Sequence, residues 1–93
     1  MDYIAAFASS HAALRAEQAC KAEALPVELI PLPSQIRGDC GFCLLMDGGG
    51  EAETEPRLQR LRACGAVALY RVRVDQPGPS SRKVKSYERC QDR

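Results

Sequence analysis

The chain of 93 residues contains no tryptophan, two phenylalanines, three tyrosines and a single histidine. With so few large side chains, a thick core is excluded; alanine supplies much of the 45% hydrophobic fraction, so elements must pack closely on small residues. A lone histidine, His11, leaves no second imidazole for a two-histidine metal knuckle. It sits at the start of a helical run, where a solvated role is expected, and no nucleophile–base–acid arrangement can be placed around it. An excess of charge of one sign is also missing. The formal net charge is +1, and Arg57, Arg60, Arg62, Arg71 and Arg73 are interleaved with acids or apolar residues, so nucleic acid is not an expected partner. No apolar run is long enough for a membrane span, and no basic leader precedes Tyr3. The expectation is therefore a cytoplasmic protein with no membrane association.

Cysteine is what the chain does have. Its five cysteines are an odd number, which argues against a secreted disulfide framework and for thiols that are packing, metal ligands or reactive groups.

One domain fits the length. Residues 3–8 read as a short buried strand, and Ser9 and Ser10 offer capping hydroxyls to a helix over 11–24. Ala13, Ala16, Cys20 and Ala24 give that helix a narrow face of small residues, and Pro26 stops it. Residues 27–32 form a second strand, placed at a sheet edge because Pro31 cannot donate to a ladder. A loop over 33–39 leads to a third apolar run, 40–46, which reads as a central strand. Gly48, Gly49 and Gly50 lack the context of a phosphate loop and read as a flexible connection. Glu51, Glu53 and Glu55 favour the first turn of a second helix that turns Leu58 and Leu61 inward and ends at Gly65. Residues 66–74 alternate like a half-buried strand.

The order βαββαβ most economically gives an α+β ferredoxin-like sandwich, a four-stranded antiparallel sheet with both helices on one face. Its uncovered face is a candidate surface for pairing with a second copy. The domain is expected to span 1–74. Residues 75–93 carry five basic against three acidic residues without an apolar period, and read as a disordered basic tail.

Cys40 and Cys43 form a C-x-x-C. In an extended segment their Cα atoms would stand roughly 10 Å apart at about 3.3 Å per residue. A disulfide requires less than about 7 Å, so the pair can close only if Gly41 turns the chain. A zinc site would need ligands from Cys20, Cys64, His11 or Cys90, none of which forms a second knuckle. The thiols also differ in setting. Cys20 and Cys43 lie inside regular elements and read as packing. Cys64 sits near a helix C-terminus, where the dipole disfavours a thiolate, and Cys90 lies in the tail. Cys40 stands at the mouth of a strand beside Gly41, whose missing side chain leaves the sulfur approachable; Arg37 would favour its thiolate and Asp39 oppose it.

Tyr3-Ile4-Ala5-Ala6-Phe7, Ser10-His11, Ala13-Leu14-Arg15-Ala16-Glu17, Pro26-Val27, Ile30-Pro31 and Asp39-Cys40-Gly41 give the chain a resemblance over about residues 1–73. It resembles the selenium/sulfur carrier protein-like family of small bacterial proteins. The resemblance implies a carrier rather than a self-contained enzyme, with no cofactor. Cys40 would hold sulfur or selenium as a persulfide or perselenide, received from a donor such as a cysteine desulfurase and passed to an acceptor protein. Gly41, Arg37 and Cys43 would support it. The chain departs from the family pattern at Cys20 and Cys43, where a leucine and a small residue are expected, at Ala24-Leu25, where a helix-ending glycine is usual, and in the added tail. Two other readings stand beside the carrier: a non-catalytic module that docks through the open sheet face with structural cysteines, and a redox or metal-binding protein using Cys40 and Cys43.

Overall fold

A short capped helix follows the first strand because Ser9 is extended, with φ −154° and ψ 162°, and its Oγ accepts the Ala12 N–H at 3.0 Å. The computed structural model describes residues 1–36, 41–75 and 84–90. Its elements are β1 (Asp2–Ala6), α1 (Ser10–Ala22), β2 (Val27–Pro31), β3 (Phe42–Asp47), α2 (Glu51–Ala63), β4 (Ala68–Asp75) and β5 (Val84–Arg89).

All strand pairs are antiparallel, in the order β2-β3-β1-β4-β5. The expectation of two helices with an antiparallel sheet holds; the expected four strands are corrected to five. The fifth comes from the segment read as a tail, with Val72 opposite Tyr87 and Arg71 opposite Glu88. Its signal is weak because an edge strand exposes most of its side chains, and of residues 85–89 only Tyr87 packs on apolar neighbours. Pro31 closes β2 at the opposite edge of the sheet, where a missing N–H costs least.

The two faces of the sheet differ. Ala5, Phe7, Leu44, Met46 and Leu69 meet Ala13, Ala16 and Cys20 from α1 and Leu58 and Leu61 from α2 in one buried cluster. On the other face Ile4 and Cys43 are buried under Ile36, with Ile30, Leu45, Tyr70, Val72 and Tyr87 packed around them. The turn after β2 thus covers part of the face expected to be open.

Both helices end in the same backbone motif. At α2 the Gly65 N–H donates to the Arg62 carbonyl at 3.0 Å and the Ala66 N–H to the Leu61 carbonyl at 3.1 Å, with Gly65 at φ +104°. At α1 the Ala24 N–H reaches Lys21 O at 3.0 Å and the Leu25 N–H reaches Cys20 O at 2.9 Å, with Ala24 at φ 59°. Pro26 therefore does not stop the helix alone, as had been expected. A left-handed alanine stops it, at a steric cost that glycine would not incur.

The 48–50 segment is a built turn rather than a flexible connection. A Cβ at Gly48 would stand 2.6 Å from the Tyr3 ring and 2.9 Å from Met1 O, so only glycine fits. Arg57 donates to Asp47 O at 2.8 Å and pairs with Glu53 at 2.9 Å, closing the turn onto the first turns of α2.

Candidate functional site

From β2 the chain runs through Leu32 into a turn in which the Ile36 N–H donates to Pro33 O at 3.0 Å. Burying Ile36 against Ile4 and Cys43 fixes this turn on the helix-free face. Cys40 and Arg37 lie outside the described residues, as do Gly38 and Asp39. Gly41 is held on both sides. Its N–H donates to Ser10 Oγ at 3.4 Å, and its carbonyl accepts the Leu32 N–H at 3.0 Å. Ser10 is the first residue of α1, so this backbone is tied to a helix N-terminus, where peptide dipoles favour negative charge. A Cβ at Gly41 would meet only Ser10 Oγ at 3.9 Å, an ordinary contact. Crowding does not demand glycine there, and Gly41 is exposed.

Cys43 follows two residues later with a different character. It is 0% exposed, lies opposite Ala6 and Ile30 in the sheet, and its Sγ is 3.8 Å from Pro31 O. Because side chains alternate along β3, Cys43 turns to the helix-free face while Leu44 turns to the helices. Between Gly41 and Cys43 stands Phe42, 43% exposed, an aromatic surface beside the strand mouth. The segment therefore brings Ser10, Gly41 and Phe42 together at the surface and sets Cys43 behind them in the core.

Two further thiols meet elsewhere. Cys20 Sγ lies 3.8 Å from Cys64 Sγ, where α1 and α2 approach each other. Burial pushes the Cys20 thiol up to about 12, the nearby Cys64 adds to the rise, and the Arg60 guanidinium opposes it. Cys90, expected in a tail, instead follows β5, with its N–H donating to Leu69 O at 2.8 Å. It lines a cleft of about 600 Å³ between α2 and the β4–β5 edge, together with Tyr3, Leu58, Arg62, Arg71 and Glu88. Burial raises the Cys90 thiol above its ordinary value, with Arg62 and Arg71 opposing. His11 is exposed on the first turn of α1. Among the described residues, no three His, Cys, Asp or Glu side chains converge as metal ligands would.

Sequence reasoning missed the anchoring role of Ser10, the exposed Phe42, the Cys20–Cys64 contact and the setting of Cys90. For Ser10 there was a signal, a second hydroxyl beside the capping one. The Cys20–Cys64 contact had none, because nothing local links two helices so far apart in the chain.

The fold is that of a small α+β protein, two helices on one face of an antiparallel sheet. Residues 2–60 match the family described as putative Se/S carrier protein-like, and the chain belongs to that family. The match runs from β1 into α2 and takes in the Cys40–Gly41 segment. No curated protein and no solved structure matches the chain. Among the described residues, no helix is long and apolar enough to cross a membrane.

Proposed function

We propose that the protein carries sulfur or selenium on Cys40, between a donor such as a cysteine desulfurase and an acceptor protein in the cytoplasm. The observation that carries this reading is the anchoring of Gly41, the residue joined to Cys40, on Ser10 at the N-terminus of α1. A helix N-terminus favours the thiolate, which is the reactive form. Family membership supports the same reading. The Cys40 thiolate attacks the outer sulfur of a donor persulfide; the donor S–S bond breaks, the donor leaves as thiolate, and Cys40 holds the persulfide. A nucleophile on the acceptor then takes that outer atom and Cys40 leaves as thiolate, with no net oxidation. Arg37 would support the thiolate by its charge, Gly41 by leaving the approach open, and Cys43 by filling the sheet behind.

We read β1 to β4 with the two helices as a ferredoxin-like unit, the order β4-β1-β3-β2 being the arrangement that βαββαβ chains adopt, with β5 added at its edge. The 1–74 segment is the carrier domain in this reading.

The test is intact-mass analysis of the protein isolated from cells. An adduct of roughly 32 or 80 Da that dithiothreitol removes, and that a Cys40→Ser chain lacks, is expected. Limiting iodoacetamide should also label Cys40 before Cys64 and Cys90; equal labelling would refute the activated thiol.

The same reading includes a homodimer through the helix-free face. Across that face Glu28, Leu45, Tyr70 and Arg89 stand in register to either side of the covered Ile4, the half-buried Leu45 and Tyr70 flanked by an acid at the β2 edge and a base at the β5 edge. A two-fold axis along the strands sets each Glu28 over the partner's Arg89. Light scattering should give twice the monomer mass, and Tyr70→Glu should return it to one.

A further inference from the structure

Two thiols 44 residues apart in sequence meet at the junction of the helices. Cys20 lies in the last turn of α1 and is 0% exposed, whereas Cys64 caps the C-terminus of α2 and is partly exposed. Their sulfurs are 3.8 Å apart, with the Cys20 thiol placed to donate to Cys64. A disulfide bond is about 2.05 Å long, so each sulfur has to move by roughly 1 Å to form one. Motion of that size is available to Cys64, which stands after the last helical residue and is not enclosed by the core. The same junction carries an ion pair between Arg60 of α2 and Glu23, the residue that caps α1. Two independent contacts therefore hold these two helix ends in one arrangement.

We propose that Cys20 and Cys64 are a redox modification site: low-molecular-weight disulfides oxidise them to a reversible disulfide that clamps α1 to α2. Cys64, the thiol with access to solvent, attacks one sulfur of the small disulfide. That S–S bond breaks, a mixed disulfide forms on Cys64, and one small thiolate leaves. Cys20 then attacks the Cys64 sulfur, the mixed bond breaks, and the second small thiolate leaves with the Cys20 proton. Two protein thiols lose two electrons and one small disulfide becomes two thiols, so the exchange balances. Cys20 is closed to solvent and Cys64 is not, so Cys64 initiates the exchange; Cys20, 3.8 Å away, resolves the mixed disulfide as it gives up its proton. The clamp uses neither Cys40 nor Gly41 and stands apart from the proposed carrier site.

The experiment treats the reduced full chain with excess oxidised glutathione, blocks remaining thiols with N-ethylmaleimide, and maps the tryptic peptides. The expected product joins peptide 16–21 to peptide 63–71 with the loss of two hydrogens. Closing a loop of this length constrains the unfolded chain, so the melting temperature should rise on the order of 10 °C and fall back with dithiothreitol. Cys64→Ser should remove the linked peptide while keeping the circular dichroism of the parent, and Cys40→Ser should leave the link intact. The proposal is overturned if Cys64 ends as a stable glutathione adduct with Cys20 unlinked. It is equally overturned if the main link involves Cys40, Cys43 or Cys90, or if the crosslinked chain melts no higher than the reduced one.

Discussion

Replacing Ala24 with glycine should stabilise the protein, although glycine ordinarily weakens a helix. Ala24 sits at φ 59° just past the end of α1, held there by its own N–H on Lys21 O and by the Leu25 N–H on Cys20 O. An L-residue in this region carries a steric cost of roughly 1–2 kcal/mol that glycine avoids. Against that gain, glycine adds freedom to the unfolded chain worth about 0.4–1 kcal/mol. The Ala24 side chain is exposed, so its loss removes no packing. The balance favours the variant by about 0.5–1 kcal/mol, which at this size raises the melting temperature by about 4 °C. Ala19→Gly is the control, the same chemical change at an exposed position inside the same helix. There it should cost about 1 kcal/mol. Urea melts of the two variants beside the parent measure both numbers. If Ala24→Gly destabilises as much as Ala19→Gly does, the left-handed cap is wrong.

Gly48→Ala should lower stability by about 1–3 kcal/mol in the same assay, because its Cβ would collide with the Tyr3 ring and Met1 O. Stability should also fall with alkali through Cys20, whose folded value lies above the ordinary 9.0 at about 12. The folded state binds the proton more tightly, so this contribution is whole below about pH 9 and is lost as pH rises toward 12, by up to about 1.4 kcal/mol per unit. Urea melts from pH 8 to 11 should show a shallower decline for Cys20→Ala than for the parent. Ending the chain at Asp75 removes β5 and the packing of Tyr87 against the sheet, and should cost about 1–2 kcal/mol. Hydrogen exchange at the Leu69–Val74 amides should rise with it; unchanged exchange would mean β5 does not pair in solution.

Much of the architecture was written in local pattern. The strand over Asp2–Ala6, both helices, the inward Leu58 and Leu61, Gly65 as terminator and the edge position of the Pro31 strand follow from period, capping chemistry and proline stereochemistry. What failed to show was set by tertiary contact. β5 exists because β4 offers it an unpaired edge, and its own residues carry almost no apolar alternation. The α1 terminator was missed because alanine rarely adopts the left-handed region, so the residue type gave the wrong signal. At the site, Gly41 at the surface and Cys43 in the core were legible from their places before and within a strand. Cys40 and Arg37 lie outside the described residues, and the roles proposed for them rest on the sequence and on family membership. The meeting of Cys20 with Cys64 depends on how two helices settle on a sheet, which no local pattern encodes.

The neighbouring hydroxyls at the start of α1 divide their work. Ser9 satisfies the Ala12 amide and so belongs to the helix, while Ser10 accepts the Gly41 amide from a segment distant in sequence. Among the described residues, Gly41 is held by a long hydrogen bond to Ser10 and by the Leu32–Gly41 bond, and neither of these is part of the Ser9 cap. Losing those two bonds would leave the Ser9–Ala12 bond, and with it the start of α1, in place. In the proposed carrier, that separation would let the backbone at the strand mouth adapt to each partner while the helix and sheet stay folded.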